Sequence, residues 1–160
     1  TTTGKYPLES VKLLTRISIR IEKDLPPVLS DSLRLFRPKA KMLRSAAMLA
    51  MRMNNAAVLV FTRSGDLAAK LGALRPNGAH LFAFTDVPGL HRRLRMVWGI
   101  EPFWMEFSDD PEITIQNAIQ KLHVEGWVEQ GDQIVTVTNV LADGKVIESI
   151  QLREVEPIES

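Results

Sequence analysis

Hydrophobic positions near the start of the chain repeat with the spacing of a helix. After Pro7, which suits a first helical turn, apolar side chains recur every three or four residues at Leu8, Val11, Leu14, Ile17 and Ile21. The spacing predicts an amphipathic helix within residues 1–24. The following segment, 25–38, contains three prolines and has no clear periodicity, so it is predicted to be a linker.

From residue 39 to residue 156 the chain alternates short apolar runs with helical patterns. Helices are predicted around 42–53, over 66–74, over 90–97 and from Asp109 onward. Strand-like runs lie between and after these helices, at 57–61, 80–85, within 100–107, at 132–140 and at 145–155.

The last two strand-like runs are separated by the sequence LADG. It contains the dipeptide Asp143-Gly144, which is typical of a tight turn between antiparallel strands. The earlier strands alternate with helices, an order that favours parallel pairing with right-handed crossovers. The pattern predicts an α/β domain over 39–156 with a mostly parallel sheet, one reversed strand and flanking helices.

Composition narrows the classes of function. Of 160 residues, 45% are hydrophobic and 24% are charged, which fits one α/β domain with an attached segment. The net charge of +1 gives no reason to expect a nucleic-acid or membrane partner, and no apolar run approaches the ~20 residues of a membrane helix. The chain has no Cys, in agreement with a reducing compartment, and we expect a soluble intracellular protein.

The turn after the first strand-like run is the clearest candidate for chemistry. Thr62 and Ser64 supply hydroxyls, Gly65 lets main chain approach a ligand closely, and the next helix directs free N–H groups outward. These features predict an anion site at the carboxyl end of a strand. In the alternative, Ser64 only caps the helix, and Asp66 uses the positive helix end itself and would repel phosphate. Spacing alone favours the alternative, because such turns are common.

The histidines give no indication of a metal site. His80, His91 and His123 lack the spacing of metal ligands, and no Cys is available to complete a set. Asp109 and Asp110 are typical of a helix start. No metal site is predicted in this domain.

Four ordered stretches of the chain resemble pyruvate kinase. They are TTTGKYPLESVKLLTRISIRIE, AAVLVFTRSGDLAAKLGALRP, FAFTDVPGLHRRLRMVWGIEP and GWVEQGDQIVTVTNV. The first is similar to the last helix of that family's catalytic barrel, and the others follow in the order of its C-terminal domain. The stretch RRLRMVWGIEPFWMEFSDD is more similar to plastid or bacterial members.

The resemblance implies a C-terminal regulatory domain over 39–156, preceded at 1–24 by the last helix of the barrel. It implies a three-layer α/β/α fold whose five-stranded sheet is mostly parallel with the last strand antiparallel. The implied parent reaction transfers a phosphoryl group from phosphoenolpyruvate to ADP in glycolysis, with Mg²⁺ and usually K⁺. The implied partners are the barrel of the same chain and further copies in a homotetramer. The implied location is the cytoplasm or, alternatively, the plastid stroma.

Most of the parent's catalytic site aligns outside this sequence. Thr1 aligns with the active-site threonine that follows Ser-Gly-Glu in the family. The family's catalytic lysine, metal carboxylates and substrate-binding arginine all align upstream. Because phosphoryl transfer depends on cations and positioning, the chain alone is expected to be inactive and to hold no cofactor.

The resemblance also implies a ligand for the turn at residues 62–65. In members regulated by fructose 1,6-bisphosphate, the turn matching 62–65 cradles one phosphate, and a later loop with Trp and Arg or Lys holds the other. Here Asp66 adds negative charge and VLADGKVIES is too short for that loop, so we expect weak or no bisphosphate binding. A phosphate monoester such as a sugar phosphate or AMP is expected instead, on Thr62, Arg63, Ser64, Gly65 and Lys145. The alternative is a structural domain that assembles the tetramer and keeps a vestigial anion site.

Overall fold

The computed structural model describes residues 4–24, 38–53, 56–76, 78–142 and 145–157. After the first two helices, strands and helices alternate until the last two strands, which follow one another, as the hydrophobic pattern predicted. The helices are α1 (Pro7–Asp24), α2 (Pro38–Met51), α3 (Asp66–Leu74), α4 (Pro88–Leu94) and α5 (Pro111–Val124). The strands are β1 (Ala57–Phe61), β2 (His80–Thr85), β3 (Ile100–Trp104), β4 (Gln133–Ala142) and β5 (Lys145–Glu154).

The strands form one sheet in the order β3-β2-β1-β4-β5. β1 is parallel to β2 on one side and to β4 on the other, β3 is parallel to β2, and β5 is antiparallel to β4. The predicted mostly parallel sheet with a reversed last strand is confirmed. Because β2 and β4 lie on opposite sides of β1, the strand order changes direction there, and ligands of open α/β sheets bind beyond the carboxyl ends at such a point.

Alternate side chains of β1 belong to different faces of the sheet. Val58 and Val60 join a buried cluster with residues of α2, α3 and α4, whereas Ala57 and Leu59 join a second cluster with residues of α5. All four side chains are buried, which explains why the strand is an unbroken apolar run. The helices therefore cover both faces, and the predicted three-layer α/β/α class is confirmed.

Some predicted boundaries need correction. α4 begins at Pro88 and ends at Leu94, whereas the pattern predicted 90–97. Proline is well suited to the first helical position because it has no N–H to leave unpaired there, and this explains the earlier start. α2 begins at Pro38, the last residue of the predicted linker. The rest of that linker, Thr1 and the Asp143-Gly144 turn lie outside the described residues.

The first helix exposes its apolar side chains. Seven of them are between 46% and 61% exposed, namely Leu8, Val11, Leu13, Leu14, Ile17, Ile19 and Ile21. In the part of the chain that the structure describes, no helix combines the length and the apolar character that crossing a membrane requires.

Candidate functional site

The turn after β1 is held from inside by Thr62. Its backbone N–H donates to the carbonyl oxygen of Phe84 at 2.9 Å, and its Oγ1 accepts from the N–H of Gly65 at 2.8 Å. The residue is only 5% exposed. The Thr62 oxygen therefore shapes the turn, and only the hydroxyl hydrogen is left to donate elsewhere.

Gly65 is required by the backbone and by packing. Its φ of 84° lies in the left-handed region, where a side chain is disfavoured. A Cβ at this position would lie 2.8 Å from Cδ1 of Leu90 in α4. The direction of a Cβ at Gly65 is thus occupied by Leu90 of α4, and the approach of a ligand to the main chain of Gly65 stays a prediction.

The start of α3 has no side-chain cap of the usual kind. Gly65 is the N-cap, and Oγ of Ser64 accepts from the N–H of Asp66 at a long 3.3 Å. The carboxylate of Asp66 pairs with Lys70 one turn later. Among the described residues, the N–H groups of Ser64 and Leu67 have no acceptor, so part of the positive helix end is open to an anion.

Arg63 is oriented by a residue that was not predicted to belong to the site. Its Nε donates to Oδ2 of Asp86 at 2.7 Å, and its guanidinium carbon lies 5.6 Å from the ring centre of Phe107. Asp86 follows β2 as Arg63 follows β1, and the parallel register pairs Phe61 with Phe84, two residues before each. The signal in the sequence that could have identified Asp86 was a polar residue directly after a predicted strand.

Two cavities share Arg63 at this edge of the sheet. One, of about 370 Å³, lies toward the start of α5 and is lined by Phe107, Ser108 and Thr114 among others. The second, of about 500 Å³, lies toward α2 and α3 and is lined by Ser64 and Lys70 among others. Both volumes suit a small ligand.

β5 brings an acid to the second cavity. Glu148 lines it, together with Asp66, so two carboxylates accompany the cations Arg63 and Lys70. Lys145 is opposite Ala142 at the end of the hairpin, and its side chain lies outside what the structure describes. Glu148 is opposite Asn139, three residues or roughly 10 Å nearer to the level of the turn. Together with Asp86, which pairs with Arg63, three carboxylates therefore accompany these two cations.

The neighbouring helix start, at α5, is closed by its own residues. Oδ1 of Asp110 accepts from the N–H of Glu112 at 2.8 Å. Glu112 in turn accepts two bonds of 2.5 Å from Arg153 of β5. The hydrogen bond from Arg153, assisted by its charge and by Gln116 and opposed by partial burial, lowers the pKa of Glu112. The same bond raises the pKa of Arg153.

No group of three or more His, Cys, Asp or Glu residues that could hold a metal ion occurs in the described ranges. The predicted lack of a metal site stays a prediction. Thr1 lies outside those ranges, so its assigned place in the barrel site also stays a prediction.

The family follows from a match over most of the domain. Residues 40–146 match the model described as the pyruvate kinase alpha/beta domain. The chain belongs to this pyruvate kinase domain family.

Curated relatives agree with this assignment. The chain is 31% identical over 158 residues to pyruvate kinase isozyme A, chloroplastic, of Ricinus communis, with 90% of the chain and 26% of the relative covered. It is 32% identical over 163 residues to plastidial pyruvate kinase 2 of Arabidopsis thaliana, with 95% and 27% covered. The chain thus spans about a quarter of the length of the pyruvate kinases that it matches.

Solved structures share the fold. The crystal structure of Cryptosporidium parvum pyruvate kinase superposes with a TM-score of 0.75 at 21% identity. The superposition covers 95% of this chain and 30% of that one. Nearly all of the chain therefore shares its fold with part of that structure.

Proposed function

We propose that this domain is the C-terminal regulatory and assembly domain of an enzyme that transfers a phosphoryl group from phosphoenolpyruvate to ADP in glycolysis. The match of residues 40–146 to the pyruvate kinase alpha/beta domain carries the proposal. The Mg²⁺ and K⁺ of the reaction belong to the catalytic barrel of the same protein. The chain alone supplies neither those ions' ligands nor the catalytic lysine, which the resemblance assigns to upstream sequence.

The inactivity of the chain alone is directly testable. A coupled assay for phosphoenolpyruvate-dependent ATP formation should give no rate above background for the purified chain, with or without Mg²⁺ and K⁺. An intact pyruvate kinase serves as the positive control. A rate that depends on the chain's concentration would contradict the proposal.

Within the domain, we propose that the turn at residues 62–65, which includes Arg63, forms an effector site for a phosphate monoester. The open N–H groups of Ser64 and Leu67 and the guanidinium of Arg63 support it. The position at the change of strand order is where ligands of this fold class bind. Lys145 stays a proposed contributor.

The nearby acids set the ligand class. Asp66 and Glu148 line the cavity beside the turn, so a second phosphate there would meet negative charge. We expect calorimetry to detect glucose 6-phosphate or AMP and to give weaker or no binding of fructose 1,6-bisphosphate. Bisphosphate binding that is tighter than monophosphate binding would contradict this assignment.

A suitable variant blocks the turn without disturbing the packing. Ser64→Glu places a carboxylate at the exposed turn and should abolish phosphate binding by repulsion. Ser45→Glu, on the exposed face of α2, is the matched control and should bind as wild type does. Gly65→Asp is unsuitable for this binding test, because any side chain at position 65 collides with Leu90. A loss of binding in that variant could not be told apart from a loss of structure.

The alternative function is assembly alone, with a vestigial anion site. The acids that accompany the cations around the turn favour this alternative. Sedimentation at several concentrations, with and without glucose 6-phosphate, separates the two. A concentration-dependent oligomer that does not respond to the ligand, combined with no heat of binding, would support assembly alone.

For the location, we propose the plastid stroma over the cytoplasm. Relatives named chloroplastic or plastidial support it, while bacterial relatives such as pyruvate kinase 2 of Synechocystis sp. also match. Fractionation of the source cells and detection with an antibody against this domain would test it. Enrichment of the protein in the cytosolic fraction would contradict this proposal and support the cytoplasm instead.

A further inference from the structure

The guanidinium of Arg63 uses only one of its donors within the described residues. Nε donates to Oδ2 of Asp86, and the two terminal amino groups have no acceptor there. An arginine presents those two groups in a plane that matches two oxygens of a phosphate. Arg63 lines both cavities at the carboxyl edge of β1, so its free edge lies where a ligand can reach it.

The backbone of Asp86 is bonded to β3. Its carbonyl oxygen accepts from Nε1 of Trp104 at 3.3 Å. Directly after β1, the N–H of Thr62 donates to the carbonyl oxygen of Phe84 in β2, which ties the two strand ends together. The second carboxylate oxygen, Oδ1, is buried and has no donor among the described residues, so Arg63 is the partner of this carboxylate there.

The Arg63 side chain is 70% exposed, its Nε donates to a carboxylate, and the Phe107 ring lies 5.6 Å from its central carbon. A long side chain normally loses rotamer freedom when it binds a ligand, and a contact that restrains it beforehand reduces that loss. The negative charge of Asp86 acts in the opposite sense, because it offsets part of the attraction of Arg63 for an anion.

We propose that Asp86 is a positioning residue that turns the terminal amino groups of Arg63 toward a phosphate monoester. The proposal rests on the effector site proposed above and adds the residue that sets its geometry. Orientation and charge can be separated, because asparagine keeps an oxygen that accepts from Nε but carries no charge, whereas alanine has neither.

The test compares binding of inorganic phosphate and glycerol 3-phosphate to wild type and variants of the chain by calorimetry at low ionic strength. Asp86→Ala should weaken binding about fivefold, the scale of one hydrogen bond. Asp86→Asn should bind at least as tightly as wild type. Arg63→Lys should weaken binding about as much as Asp86→Ala, because an ammonium cannot make the paired contact. Glu101→Ala, an acid near the start of β3, is the control and should have no effect.

The outcomes distinguish this inference from the site on which it rests. If wild type binds neither anion, both are overturned. If wild type binds and Ser64→Glu abolishes binding, but Asp86→Ala binds as wild type does, only the role of Asp86 is overturned. Equal losses in Asp86→Asn and Asp86→Ala would also overturn it. Acetate binding as tightly as phosphate would overturn the ligand class.

A second measurement needs no ligand. In wild type, the Nε–H proton of Arg63 should give an NMR signal that exchanges with solvent more slowly than an unbonded arginine Nε–H, because it donates to Asp86. The signal should persist in Asp86→Asn and be lost in Asp86→Ala. An Nε–H signal that exchanges equally fast in all three proteins would overturn the proposal.

Discussion

Two helices, α3 and α5, begin near the same edge of the sheet, and they differ in whether a capping side chain accepts from their first N–H groups. At α5, the side chain of Asp110 accepts from Glu112 and closes the helix end. At α3, the cap is Gly65, which has no side chain, and the nearby Asp66 pairs with Lys70. An acidic residue at a helix start in the sequence therefore does not establish that the positive end is occupied. The residue at the cap position decides it, because Asp110 supplies an acceptor and Gly65 does not.

The largest effect should come from adding a side chain at the open helix start. Gly65→Ala should cost about 2–4 kcal/mol in the free energy of unfolding, because it combines left-handed strain with contact against Leu90. Gly89→Ala, in α4, meets no atom within 4 Å and should be neutral or slightly stabilising. Urea denaturation of both variants measures the difference. Similar costs for both would show that Gly65 does not set the open start.

Removing the cap at the closed helix start should have a smaller effect. Asp110→Ala should cost about 1 kcal/mol in unfolding free energy, because the N–H of Glu112 loses its acceptor. Ser64→Ala should cost less than about 0.5 kcal/mol, because the bond it removes is long and exposed. Thermal and urea denaturation compare them. A larger cost for Ser64→Ala would reverse the distinction between the two helix starts.

The closed start should also respond to pH through Glu112. Arg153 lowers the pKa of this carboxyl in the folded protein, so the ion pair stabilises above the unfolded pKa. That contribution is lost as the pH falls through the folded pKa. The stability advantage of wild type over Glu112→Gln should therefore shrink in acid below the usual range of a glutamate. Glu106→Gln, which removes an exposed acid after β3, is the control, and a constant advantage of wild type down to low pH would contradict the assignment.

The smallest effect should be the response of the two helix starts to phosphate. In an NMR titration, the amides of Ser64 and Leu67 should shift, while that of Glu112 should not, because its N–H is already bonded. In Asp110→Ala, the Glu112 amide should gain a weak response. Equal shifts at both helix starts in wild type would indicate nonspecific ionic effects.

Much of the fold followed from local patterns. The limits of α3 and β2 agree with prediction, because Gly65, Pro76 and the apolar run at 80–85 mark them clearly. The end of α4 was placed three residues too late, at 97, because Val97 continues the helical spacing. Val97 is nevertheless part of the turn that leads to the left-handed Gly99, and spacing alone does not reveal that turn.

The site was less predictable, because its contacts depend on strand register. The turn at 62–65 could be found from the sequence, but the Arg63–Asp86 pair requires knowing that Phe61 is opposite Phe84. Glu148 reaches the cavity only through the register of β4 with β5. Thr62 was expected to offer a hydroxyl, and its bond to Gly65 follows from a backbone shape that residue types alone do not fix.

The exposed apolar side chains of α1 have a practical consequence for handling the protein. An 18-residue helix with seven large apolar side chains about half exposed favours nonspecific association between copies of the chain. Nonspecific aggregation through this surface would resemble specific oligomerisation in the sedimentation experiments. Serine substitutions at Leu14 and Ile17 would reduce the exposed apolar surface of α1, and self-association that weakens in this variant would be assigned to that helix.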